Sequence, residues 1–231
     1  MSRWHPAVVI GLQLLLVTPA AAGAQSLSGD VDKFEYRLDG SRHLLFDGSF
    51  SYGGETDGLN AKLVVGGSVD RKIDQIQGEL AYSRAIGGSF NLEAGLRHEF
   101  RSPGHLSYAV VGFSGEPKPG FALESYALAS RKGDLFGEFK AVYDQPLNDR
   151  VTVQPRLAFN LAAQDVPDQV IARGLVAAEL GIRLRYEMSR LVAPYIGISH
   201  ERLLGRTARI AREAGEVSRS THVVLGFSSA F

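Results

Sequence analysis

The sequence predicts an all-β protein, a transmembrane antiparallel up-and-down β-barrel of about twelve strands. Three observations predict it. The stretch Gly174–Met188 carries Val176, Ala178, Leu180, Ile182, Leu184, Tyr186 and Met188 on one parity, and Leu175, Ala177, Glu179, Gly181, Arg183, Arg185 and Glu187 on the other. Successive side chains of a strand point to opposite faces, so this is one apolar and one charged face. At about 3.3 Å per residue the stretch exceeds the roughly 9–11 residues a tilted strand needs to cross a bilayer. Second, segments of the same kind recur along the chain, separated by turn-forming residues. Third, the N-terminus reads as an export signal. Arg3 precedes the apolar run Ala7–Val17, and Ala22 and Ala24 fit a cleavage site before Gln25. This divides the chain into a signal peptide (1–24), a short periplasmic lead (25–33) and an outer-membrane barrel (34–231).

The barrel elements follow in order. Phe34, Tyr36 and Leu38 alternate with Glu35, Arg37 and Asp39. Leu44–Tyr52, Leu59–Gly67 and Gln75–Ser83 repeat the pattern. Phe90–Arg101 is the most regular, with Phe90, Leu92, Ala94, Leu96, His98 and Phe100 opposing Asn91, Glu93, Gly95, Arg97, Glu99 and Arg101. Leu106–Ser114 and Phe121–Ser130 are apolar on both parities in places. Leu135–Asp144, Val151–Leu161, Leu191–Leu204 and His222–Phe231 complete the set. Five connections on one side are short and rich in Gly, Pro, Asn, Asp or Ser, whereas the other side holds the long connections Asp165–Arg173 and Gly205–Ser220. Short turns on one rim and longer loops on the other is the outer-membrane pattern, with short turns in the periplasm. Thr207–Glu216 has room for a helical turn or two. Pro155 and Pro194 interrupt strand patterns near the short-turn rim, where a lost ladder donor costs least.

A soluble sandwich alternates too, with its apolar face inward. Strand length, the export signal and the aromatic end of the chain, Phe227 and Phe231, favour a bilayer. So does the preponderance of Arg among the charges, because its planar fork suits enclosed pairs. Aromatic residues near strand ends, such as Tyr52, Tyr82, Tyr143 and Tyr186, suit membrane girdles. The expected lumen charge network is Glu93, Arg97, Glu99, Glu138, Lys140, Arg156, Glu179, Arg183, Arg185 and Glu187. Buried charges are costly unless paired, so these should pair and largely fill a barrel narrower than a 16-stranded porin.

Composition excludes several classes. The 231 residues hold 25 basic and 25 acidic side chains, which offers nothing to nucleic acid. There is no cysteine, hence no disulfide or thiolate site. No nucleophile, histidine and orienting group share parity and depth, so the chain does not read as an enzyme. His98 and His105 flank the turn 102–104 and are the candidate metal ligands, for copper or zinc.

The hairpin Arg183–Arg202 resembles the closing half of the copper resistance protein B family. Tyr82–Ala85, Gly95–Arg101, Val153–Leu157, Asn160–Leu161 and the last strand agree, so the likeness runs from about Phe34 to the C-terminus. It implies an outer-membrane protein of Gram-negative bacteria, implicated in copper resistance and homeostasis. Outer-membrane lipids, copper ions and periplasmic copper-handling proteins are the implied partners. Family members typically carry a long Met- and His-rich stretch before the barrel. Here Gln25–Lys33 takes its place and has neither residue. A small outer-membrane channel or structural barrel with no metal role is the alternative.

Overall fold

The computed structural model describes residues 25–38, 42–54, 56–68, 73–100, 104–189 and 191–230. The signal region, the turn at 101–103 and Phe231 lie outside these residues. The strands are β1 (Ser26–Leu38), β2 (Arg42–Gly53), β3 (Asp57–Ser68), β4 (Ile73–Gly87), β5 (Phe90–Phe100), β6 (His105–Lys118), β7 (Phe121–Ser130), β8 (Leu135–Tyr143), β9 (Gln145–Pro146), β10 (Val151–Ala162), β11 (Gly174–Tyr186), β12 (Ala193–Leu203) and β13 (Arg219–Ala230). Strand β9 continues the stave of β8 past Asp144, so the thirteen strands make twelve staves. Each pairs antiparallel with its neighbours, and β13 returns to β1 with Leu38 opposite Val223 and Asp30 opposite Ala230. The ring is closed and has no edge, as a membrane-spanning sheet requires.

The faces are those expected of a membrane barrel. On β11, Leu180, Ile182 and Leu184 are 57%, 51% and 46% exposed, while Arg183 between them is 3% exposed. Glu35, Glu93, Arg97, Arg156 and Ser199 are likewise buried, and Leu59, Leu80, Leu96, Ile196 and Leu225 are exposed. The apolar residues face out and the charged ones in. One lumen sector departs from this. Tyr108, Val110 and Leu128 are buried together, with Leu106, Tyr126 and Phe136 packed against them. That apolar patch explains why β6 and β7 alternate so poorly in sequence.

The expected periplasmic lead is corrected: Ser26–Lys33 is the first half of β1 and pairs with Asp47–Gly53 of β2. A bulge between Val31 and Phe34 shifts the register. It inserts one residue, so the inward parity passes from Asp30 to Lys33, Glu35 and Arg37, and the alternation that marks a strand is broken there.

The two rims differ. On the rim holding Ser26 and Ala230, turns are short. Gly87 and Gly88 make the β4–β5 turn with φ of 115° and 60°, a region that a Cβ disfavours. On the other rim a 3-10 turn (Pro167–Gln169) lies in the β10–β11 connection and a helix, α1 (Gly205–Glu213), in the β12–β13 connection. The helix turns Thr207, Ala208 and Ala211 inward onto this loop. The Ala172 amide donates to Thr207 Oγ1 at 3.0 Å, Arg206 donates to Asp165 at 2.8 Å, and Lys132 to Asp168 at 2.6 Å. The Arg173 amide, then Arg206, hold the Asp165 carboxyl below the usual range; Lys132 does the same for Asp168. These exposed clasps are therefore present at neutral pH and released as pH falls through the depressed values.

Leu180, midway along β11 on the lipid face, tests the orientation. Leu180→Arg is expected to destabilise the bilayer-inserted barrel by about 2–4 kcal/mol, against about 0–1 kcal/mol for Tyr52→Arg at the rim. Guanidinium unfolding in vesicles, followed by circular dichroism, measures both.

Candidate functional site

The inward charges form three clusters. The first centres on Glu35, whose side chain is fully enclosed. Arg37 Nε donates to Oε1 at 2.8 Å, and Arg183 NH2 and Tyr195 OH donate to Oε2, the latter at 3.2 Å. The Arg183 guanidinium lies 4.7 Å over the Tyr195 ring. Arg37 also reaches Glu201. Glu35 thus accepts from three donors supplied by three strands, the arrangement that makes an enclosed carboxylate tolerable.

The second cluster crosses the lumen. Arg156 on β10 grips Asp32 on β1 with both terminal nitrogens, at 2.9 and 2.7 Å. Lys140 on β8 lies 3.5 Å from Asp32 and donates to Glu124 at 2.8 Å. Lys62 on β3 lies 3.8 Å from Asp47 and 3.9 Å from Glu124. In ring order β10 is four staves from β1, and β7 four from β3. These are spans across the interior rather than neighbour pairs. In the third cluster Arg97 donates to Glu79 and to Glu138, each at 2.7 Å.

The remaining expected charges have local partners. Glu93 accepts from Ser114 at 2.5 Å and Tyr126 at 3.0 Å. Glu179 accepts from Ser199 at 2.9 Å. Arg185 reaches Asp144 at 3.4 Å and Glu187 at 3.2 Å. Glu99 sits half-buried opposite Gln77 and Leu106, near the long-loop rim. The reading of the sequence did not assign Asp32, Glu35, Arg37, Lys62, Glu79, Glu124 or Asp144 to this network. Parity alone could have found Glu35 and Arg37. Asp32 was hidden by the bulge.

The crossing pairs part the lumen into two halves. A cavity of about 370 Å³ on the short-turn side is lined by seven carboxylates, among them Asp30, Asp47 and Asp144, and by Lys62 and Lys140. A cavity of about 440 Å³ opens on the long-loop side, lined by Lys33, Arg37, Glu179 and Glu201 among others. Of the lining residues the two share Asp47.

The histidines lie elsewhere. His98 and His105 meet on the outer face, ring centroids 5.6 Å apart and 29° from parallel, with Phe100 edge-on to both at 4.4 and 5.6 Å. His98 Nδ1 is 2.8 Å from Ser107 Oγ. Imidazole lone pairs lie in the ring plane, so rings stacked in this way do not aim them at one point. Among the described residues no group of three or more His, Asp or Glu is placed to hold a metal ion.

The sequence profile described as "Copper resistance protein B precursor" matches residues 26–231, which is the whole barrel. The chain belongs to the copper resistance protein B family. It is 33% identical to "Copper resistance protein B" of Escherichia coli over 85% of this chain, and 29% identical to "Copper resistance protein B homolog" of Pseudomonas syringae pv. tomato over 84%. In each case the chain spans 66% of the relative's length. Among solved structures it is similar in fold to NanC porin, with a TM-score of 0.57 and 17% identity. That match covers 88% of this chain and 99% of the porin. KdgM porin aligns over the same shares at a TM-score of 0.51 and 13% identity. These likenesses support the twelve-stave barrel and carry nothing about cargo.

Glu35→Gln removes the charge common to Arg37 and Arg183. It is expected to cost about 3–5 kcal/mol, because Arg183 then loses its counter-ion in an enclosed site and Arg37 keeps only Glu201. Combining it with Arg183→Met should cost less than the sum of the single changes. Denaturant titrations of the four proteins measure the coupling.

Proposed function

We propose that the protein is exported through its cleaved N-terminal segment to the outer membrane and serves there, without catalysis, in copper resistance. The short turns and both termini would face the periplasm, toward the copper-handling proteins that lie there. The observation that supports this reading above others is the family match along the entire barrel, residues 26–231. The role belongs to the barrel in this proposal. Residues 25–33 hold neither Met nor His, and the stacked pair His98 and His105 is a poor chelate. Copper would be handled through the barrel's lumen charges and its partners. The test is genetic. A strain lacking this gene should be inhibited at a lower copper concentration than its parent, with zinc tolerance unchanged, and plasmid-borne expression should restore the parent's tolerance. Unchanged copper tolerance in the deletion strain refutes the copper role.

The second reading is a small channel, and the two cavities either side of the charged septum favour it. Seven carboxylates against two lysines on the short-turn side would attract cations and repel anions. Planar-bilayer recordings should then give a small, cation-preferring conductance. Glu124→Gln removes one of those carboxylates and leaves Lys62 with Asp47 and Lys140 with Asp32, so it should reduce the preference. Absence of conductance at any voltage excludes this reading.

A further inference from the structure

The outer face of the β12–β13 hairpin is a graded column. From the short-turn rim upward the cross-strand pairs are Pro194–Phe227, Ile196–Leu225 and Ile198–Val223. All of these residues lie on the outward parity, and Ile196, Ile198, Leu225 and Val223 are exposed to the bilayer. Next comes His200 opposite Thr221, joined by a 2.8 Å hydrogen bond. Above it Arg202 stands opposite Arg219 on the same parity, both exposed. Side chains directly opposite on an antiparallel pair have Cβ atoms about 4.5–5.5 Å apart, and like charges there repel. Among the described residues neither guanidinium has a carboxylate partner, although the lumen arginines of the first three clusters all have one. The helix α1 that follows adds exposed Arg209 and Arg212 on the same rim.

We propose that Arg202 and Arg219 bind a phosphate group of a lipid in the leaflet around the long-loop rim. This rests on the outer-membrane reading above, in which that leaflet is the outer one and its lipid is the phosphorylated lipid A. The apolar pairs below fix the depth: acyl chains cover Ile196, Ile198, Val223 and Leu225, and the headgroup lies level with the two arginines. A guanidinium presents a planar fork of donors that matches phosphate oxygens. Two forks side by side on one ladder rung can hold one phosphate between them, and the anion removes the repulsion that the bare pair carries. The lipid source is favoured over free phosphate because the pair continues the lipid-facing stripe without a break.

The experiment uses the full-length barrel in detergent, titrated with lipid A, with dephosphorylated lipid A and with inorganic phosphate, and bound lipid read by native mass spectrometry. Lipid A should bind about tenfold or more tightly than its dephosphorylated form. The double variant Arg202→Gln/Arg219→Gln should abolish that difference, and Arg202→Lys/Arg219→Lys should retain part of it. Equal binding of both lipids, an unchanged preference in the Gln double variant, or saturation by inorganic phosphate alone overturns the proposal. Insertion of the same proteins into phosphatidylcholine vesicles, judged by heat-modifiable gel migration, is read separately. Failure there counts against the membrane reading itself, whereas insertion with no lipid A preference counts against the site alone. Both arginines border the mouth of the long-loop cavity but pair with none of the lumen charges, so the Gln variants should insert as the parent does.

Discussion

Closure of the ladder between β1 and β13 is the constraint on which the molecule depends. In hydrocarbon an unpaired amide or carbonyl has no water to turn to, so a sheet can span a bilayer when its last strand pairs with its first. Twelve staves meet that demand here, with the register running from Asp30 opposite Ala230 to Leu38 opposite Val223. An even number of staves brings the start of β1 and the end of β13 to one rim. Once the ring is closed, alternation assigns every side chain to lipid or lumen, and the remaining features follow from that division.

A ring of this size has an interior that side chains can reach across. Charges facing it are largely removed from water, and they are tolerable there when each has a partner and its spare lone pairs are used. Arginine meets this better than lysine, since its fork can serve two acceptors at fixed angles. Arg97 does so between Glu79 and Glu138, and Arg156 closes both oxygens of Asp32. The resulting septum braces opposite walls of the barrel and separates an acidic half from a more mixed one. The same side chains thereby stiffen the fold and set what charge an ion would meet.

The rims diverge because the same strands end in different environments. On one side tight turns suffice. On the other, a loop and a helix interlock through Thr207 with Ala172 and Arg206 with Asp165, Lys132 ties Asp168 of the same loop to the β7–β8 connection, and small residues such as Ala208 and Ala211 let loop and helix approach. That assembly sits beside the arginine rung on the outer face. Protein, headgroup region and aqueous medium thus meet along one hairpin.

The sequence by itself determined the strand number, the inside-out distribution of charge and the rim asymmetry. Each of these is carried by local periodicity and turn chemistry: the alternation of Phe90–Phe100 or Gly174–Tyr186 needs no partner to be read. It also carried the family likeness, through short matches spread along the staves. What only the tertiary structure decided was which charges meet. Asp32 and Arg156 are more than a hundred residues apart in the chain, and a bulge at Val31–Phe34 places the acid where parity would not. The apolar lumen patch around Tyr108 and Leu128 was equally unreadable, because a strand that is apolar on both faces has no sign by which to tell lipid from core. Contacts across a closed ring depend on stagger and curvature, which are properties of the whole cylinder rather than of any one strand.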